Sequence, residues 1–335
     1  MNLQPISSTI LSTLFGVSPQ RILEISEQAQ LEPTDYTTGT KPRFFSPVAI
    51  RKIFLRRNIR PTSKRILCFA NNKGGVGKSS CAINTASMLA SMGYRVLLID
   101  GDPQSNLTSF LLNNPNEIKG TLLNIVQKPE SFNNCISNIA LNIDLLPSNL
   151  NNEHLVLFLS QTPKRNILQK LIEPLDYDFI IWDCNPSISV LNQNIYLSCT
   201  DIFIVTTAEQ WGHDGVLITN QLINSLFEDK MKPNINVLIN KFEKRINHQF
   251  EITSQLRNYV DEIGLKTYPI IIESDSNIPK FQMLKQIPPH KSRAYISFAK
   301  FCYQFLIENS DQKKIDTSKN KIIINKLNQK NIEMH

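Results

Sequence analysis

Residues 71–80 read N-N-K-G-G-V-G-K-S-S, a run of glycines, lysines and hydroxyls suited to a polyphosphate. The run follows the phosphate-loop pattern G-x-x-x-x-G-K-[ST] with one departure, Asn72 in place of the first glycine. In such a loop the glycines let backbone N–H groups close around phosphate oxygens. The helix that starts behind them adds its partial positive charge. Gly74, Gly75, Val76, Gly77, Lys78, Ser79 and Ser80 are the expected nucleotide cradle. Lys78 would neutralise the β- and γ-phosphates, and the Ser79 hydroxyl would ligate Mg2+. Lys73, five residues ahead of Lys78, is an extra ammonium that needs its own explanation.

Two further runs end in carboxylates. R-V-L-L-I-D-G-D-P-Q-S-N-L-T supplies Asp100 and Asp102, and D-F-I-I-W-D-C-N-P-S supplies Asp183. Each follows an apolar strand, and strand C-termini in an open α/β sheet face the ligand crevice. Asp100 and Asp183 are candidate metal ligands, Asp183 through the metal's waters, while Asp102 could orient or polarise the attacking water. The plainer alternative is that these acids only cap turns.

The elements that must position these groups are legible as apolar runs. R-I-L-C-F-A leads into the loop, and R-V-L-L-I-D, D-F-I-I-W-D, D-I-F-I-V-T-T and I-N-V-L-I-N follow, separated by helical stretches. Uninterrupted apolar strands alternating with helices predict an α/β fold over residues 65–310. Its mostly parallel, doubly wound sheet would be of the phosphate-loop NTPase type, covered on both faces. Six scattered cysteines without a C-x-x-C pair argue for reduced thiols, against a disulfide framework or a zinc site. No run approaches 18 apolar residues, and the first basic residue is Arg21, so neither a membrane span nor a secretory signal is expected.

Residues 1–60 read differently, as a small, mainly helical module joined by a linker at 61–64. I-L-S-T-L-F-G ends at Gly16. Ser18 and Pro19 restart a helix, and Ser46 and Pro47 start another. Helix, tight turn and helix is the helix-turn-helix outline, although a plain helical hairpin has the same pattern. Nine basic residues and no acidic one fall between Lys41 and Arg65, more than the whole chain's net charge of +7. A local patch of this kind implies a polyanionic partner. Ser18, Gln20 and Arg21 would open a recognition helix. Lys41 and Arg43 in a wing, with Arg51, Lys52, Arg56 and Arg57, would touch DNA phosphates. The basic residues 311–335 read as a mobile tail.

The combination K-G-G-V-G-K-S, D-G-D-P-Q-S-N-L-T and D-C-N-P-S resembles the ParA family of DNA-partition ATPases, whose wider group includes MinD and nitrogenase iron protein. The resemblance runs from about residue 65 to 308 and implies an ATPase using ATP and Mg2+. By resemblance Lys73 reaches across an ATP-sandwich homodimer to the partner's phosphates, which joins it to Lys78 and Asp102 as a catalytic residue. The family also implies an adenine contact at Asn240, non-specific DNA contact at Arg245 and release by a ParB-like partner. Members with an N-terminal extension resemble this chain in layout and repress their own operon. The implied location is the bacterial cytoplasm, at the nucleoid. A departure follows the last strand: many relatives carry an arginine where this chain has Glu273, Ser274 and Asp275. Two alternatives remain open, a nucleotide-gated repressor working through residues 1–60 and a MinD-like ATPase held to a membrane by the tail.

Overall fold

The computed structural model describes residues 3–32, 35–37, 42–112, 114–162, 166–209, 212–227, 232–276, 278 and 291–310. The tail at 311–335, with Lys41, Lys280 and Lys285, lies outside them.

Serines begin the N-terminal helices. Ser7, Ser18 and Ser46 each accept a backbone N–H, from Ile10, Arg21 and Ala49, and so cap α1 (Ser8–Phe15), α2 (Pro19–Gln28) and α3 (Pro47–Arg56). Gly16, at φ 63°, closes α1 in the left-handed conformation, and Pro19 opens α2. A two-residue strand β1 (Ile6–Ser7) pairs antiparallel with β2 (Phe44–Phe45). Strands that short carry no readable alternation, so this ribbon was not expected from the sequence.

The remaining elements alternate as the apolar runs require. In chain order they are β3 (Arg65–Ala70), α4 (Lys78–Ser91), β4 (Val96–Asp100), α5 (Asn106–Leu111), α6 (Leu122–Gln127), α7 (Phe132–Cys135), β5 (Ser137–Ala140), β6 (Ile143–Leu146), α8 (Asn152–Gln161) and α9 (Ile167–Ile172). Then come β7 (Phe179–Asp183), α10 (Val190–Ser198), β8 (Asp201–Thr207), α11 (Gly212–Leu226), β9 (Asn234–Asn240), α12 (Asn247–Glu262), β10 (Lys266–Thr267) and α13 (Arg293–Glu308). Eight strands form one sheet in the order β10-β9-β8-β3-β7-β4-β6-β5, parallel throughout except for the β5–β6 pair. The chain thus has the expected α/β fold with a mostly parallel sheet. The phosphate-loop strand β3 lies between β7 and β8, so all three release their C-termini at one crevice. At the other end of β3, Arg65 holds Asp201 of β8 through Nε at 2.9 Å and Nη2 at 2.6 Å, a two-pronged bond that pins their register.

Apolar residues fill both faces of the sheet in two clusters. All six cysteines are free and buried. One cluster is continuous from the N-terminal helices into the sheet's helical cover. Ile10, Leu14, Phe15, Ile50 and Phe54 belong to it together with Leu89, Phe301 and Phe305. Phe15 and Phe54 pack tilted against Tyr303 of α13, with centroids 5.6 and 6.0 Å away. Burying a side chain of this size contributes about 1.5–3 kcal/mol. The stretch read as a linker is also held: Pro61 bridges Ser310, Thr62 N–H donates to Asn309 O at 3.1 Å, and Lys64 Nζ donates to Glu173 O at 2.6 Å.

The N-terminal elements approach the rest of the fold closely at Gly93. It has φ 87°, and an added Cβ would lie 2.4 Å from Pro47 O and 2.7 Å from Arg51 Cβ. Gly93→Ala is therefore expected to cost about 2–4 kcal/mol, from left-handed backbone strain and from overpacking. A urea titration reads this as a lowered midpoint, and an unchanged midpoint would show that α3 yields freely.

Candidate nucleotide site

The loop between β3 and α4 takes its shape from two glycines. Gly75 and Gly77 sit at φ 77° and 94°, and an added Cβ on Gly77 would lie 2.3 Å from Asn240 Nδ2. Only glycine allows both that backbone and that approach. Lys78 opens α4 and is buried, its Nζ donating to Lys73 O at 3.1 Å. Burial pulls its pKa below the ordinary lysine value, against the upward pull of Cys184, Asp183 and Asp102. A desolvated ammonium over a glycine loop is prepared for a polyanion that replaces the lost water.

A cleft of about 770 Å³ opens beside the loop. Gly74, Gly75, Gly77, Lys78, Ser79, Ser80, Asp102 and Asn240 line it, so eight expected site residues converge on one cavity. Val76 is buried beneath the loop, and its carbonyl accepts from Asn240 Nδ2 at 2.9 Å.

The three acids take distinct places. Asp102 lines the cleft, its Oδ1 accepting from Gln104 N–H at 2.9 Å. Asp183 is buried at the end of β7, where Asp100 is its cross-strand neighbour. Burial, then the Asp100 charge, pushes its carboxyl well above the usual range, while a hydrogen bond with Ser79 works the other way. Asp183 Oδ1 has no protein partner. A buried carboxylate oxygen without a donor, beside a hydroxyl, is the hard-oxygen donor set that a magnesium ion fits.

Asp100 is also buried, and it accepts from Thr108 N–H (2.9 Å), Thr108 Oγ1 (2.7 Å) and Asp102 N–H (3.0 Å). Burial raises its pKa to about 6, opposed by the Thr108 bonds. Its oxygens thus anchor the loop that carries Asp102. The sequence offered no warning of Thr108, because an eight-residue return bond leaves no spacing signature.

Lys73 stands apart from the cleft lining. Its Nζ meets Glu209 Oε2 at 3.3 Å just past the end of β8, both side chains partly exposed. Such an exposed pair contributes at most about 1 kcal/mol, so the ammonium is easily released. Two charged lining groups escaped the sequence reading, Lys241 and Glu153. Lys241 directly follows Asn240, so its position after a strand end was the available signal.

Away from the cleft, Ser18, Gln20 and Arg21 are exposed at the start of α2, with Arg21 paired to Glu24. Arg56 and Arg245 are also exposed. Among the described residues, the other expected phosphate-contacting groups have partners within the fold. Arg51 meets Asp178 at 3.3 Å and lies over Tyr94, Lys52 meets Asp35 at 2.8 Å, Arg43 lies over Tyr36 and Arg57 over Phe15.

Comparison with known proteins agrees with this geometry. Residues 64–237 match a family model described as AAA domain. The chain is 30% identical over 206 residues to chromosome partitioning protein ParA of Myxococcus xanthus, covering 59% of this chain and 72% of that protein. It is 28% identical over 267 residues to cell division protein PomZ of the same organism, covering 78% and 80%. A crystal structure described as a candidate plasmid partition protein of Borrelia burgdorferi B31, bound to AMPPNP, superposes with a TM-score of 0.58. That match has 26% identity over 76% of this chain and 100% of the other.

Proposed function

The chain belongs to the ParA family of phosphate-loop ATPases, within the AAA-domain model matched at 64–237, and from that premise we propose that it is a DNA-partition ATPase working as a nucleotide-gated dimer. The observation that carries the proposal is the position of Lys73. It belongs to the phosphate loop in sequence yet stands outside its own cleft, loosely held by Glu209. An ammonium so placed is free to meet the phosphates of a facing subunit, which makes dimer formation depend on the nucleotide.

Within each subunit Lys78 and the loop N–H groups bind the β- and γ-phosphates, and Asn240 faces the base. Ser79 and Asp183 would hold magnesium, which supplies charge neutralisation at the phosphates. Asp102, positioned by Gln104 N–H and by the Asp100 anchor, orients the attacking water. The dimer binds DNA without sequence preference through exposed cations such as Arg245, and a ParB-like partner stimulates hydrolysis and release. Ser18, Gln20 and Arg21 present α2 to an operator, through which the protein represses its own operon. Arg56 contributes a phosphate contact. Lys41 would too, and Arg43, Arg51, Lys52 and Arg57 would do so on leaving their present partners. The setting is the bacterial cytoplasm, at the nucleoid. Among the described residues no helix is long and apolar enough to cross a membrane.

Fluorescence anisotropy on a random DNA duplex tests the proposal. Binding is expected with ATP, but not with ADP or without nucleotide. Lys73→Ala should weaken it more than about tenfold, the scale on which one interfacial charge pair acts. Six phosphate contacts would give a salt slope of about −5. Binding that ignores nucleotide, or that needs one sequence, would favour a repressor acting through residues 1–60.

A further inference from the structure

The backbone of Lys73 is held from outside the phosphate loop, and the hold traces to one side chain. Asn71 directly follows β3 and is buried. Its Nδ2 donates to Val205 O of β8 at 2.7 Å, and its Oδ1 accepts from Lys73 N–H at 2.8 Å. A carbonyl only accepts and an N–H only donates, so these partners fix which way the amide is turned. A single amide thus ties the lysine's backbone to the neighbouring strand.

Helix α11 is shaped to receive that amide. Gly215 is buried in its first turn, and an added Cβ there would lie 2.5 Å from Asn71 Oδ1 and 3.1 Å from its Nδ2. One turn further on, Thr219 Oγ1 accepts from Asn72 N–H at 3.3 Å and donates to Gly215 O at 2.7 Å. Positions four apart share a helix face, so Asn71 and Asn72 dock side by side on α11.

The other holds on this segment are weaker. The Asn72 side chain secures nothing, since its Nδ2 and Oδ1 are both buried without a partner among the described residues. An orphaned amide opposes the arrangement it sits in. The Glu209 pair is partly exposed and contributes little. Lys78 Nζ donates to Lys73 O at 3.1 Å, but phosphate oxygens compete for that same ammonium. Asn71 is shielded from water and does not line the cleft, so neither solvent nor nucleotide contests its bond.

We propose that Asn71 is a positioning residue for ATP hydrolysis, aiming Lys73 through its bond to β8 and its seat against α11. The inference rests on the reading of Lys73 as the ammonium that meets a facing subunit's phosphates. Lysine is a point charge on a flexible stem, so the direction of its backbone decides where that charge arrives. Misplacing a reacting group by about 1 Å can cost about a hundredfold in rate.

Single-turnover phosphate release on the full chain, measured beside ADP binding, tests the proposal as a double-mutant cycle. Asn71→Ala should slow phosphate release about ten- to a hundredfold while ADP affinity stays within about threefold. In a Lys73→Ala background the same substitution should slow it no more than about twofold further, because the group it aims is gone. Gly215→Ala crowds the amide from the helix side, where alanine is the better helix former, and is expected to show the same pattern. It carries the test if Asn71→Ala does not fold. Normal turnover in Asn71→Ala, or an equal loss with and without Lys73, would overturn the inference and leave the role of Lys73 standing. Normal turnover in Lys73→Ala itself would remove both.

Discussion

Asp102→Asn and Asp102→Ala proteins are expected to bind ATP normally and to hydrolyse it at least about 100-fold more slowly, the usual scale for removing a water-orienting acid. The expectation rests on where Asp102 stands. It lines the cleft with Lys78 and Ser79, whereas Asp100 is withdrawn into bonds with Thr108 and cannot replace it. The asparagine variant keeps an acceptor for Gln104 N–H and so preserves the loop, while alanine loses that bond. Equal losses in both variants would place the effect in the carboxylate's chemistry. A loss in alanine alone would mean that Asp102 acts by shaping the loop, and normal turnover in both would remove it from the reaction. Single-turnover phosphate release, measured beside equilibrium ATP binding, separates these outcomes.

Lys78→Met is expected to move stability and binding in opposite directions. Methionine fills similar space without a charge. The wild-type lysine has a folded pKa below its ordinary value, so at neutral pH its charged form is less favourable in the folded protein than in the unfolded chain. Removing it should leave the nucleotide-free protein as resistant to urea as the wild type, or more so. Nucleotide affinity should fall by about 30-fold or more, since truncating one side of a buried charge pair costs about 2–5 kcal/mol. A variant that unfolds earlier and also binds poorly would instead assign Lys78 a packing role.

The sequence made legible whatever depended on local spacing. Five apolar runs became β3, β4, β7, β8 and β9 within a residue at either end, because a strand buried on both faces writes its burial into every position. The phosphate loop was legible for a similar reason, since its shape needs glycine at Gly75 and Gly77 whatever surrounds them. The strands β5 and β6 were missed: four residues each at the sheet edge carry too little pattern. Side-chain partners were the hardest to foresee. Nothing near Asp100 in sequence says that Thr108 will take its oxygens, and nothing near Arg51 announces Asp178, 127 residues away. A run of arginines looks the same on paper whether it faces DNA or lies on aromatic rings. The Glu273–Asp275 departure was visible in the sequence, but only the fold brings it into the lining of the cleft.

Helix α4 has the phosphate loop at one end and Gly93 just past the other. At 1.5 Å per residue its 14 residues make a rod of about 21 Å. The rod starts at Lys78, and past its far end Gly93 leaves no gap against Pro47 of α3. A rod clamped at both ends cannot shift at one end alone. Should nucleotide move its first turn, the free energy spent at the serine-capped helices must be returned in kind. Whatever factor ATP applies to a ligand gripped by those helices, that ligand must apply to ATP.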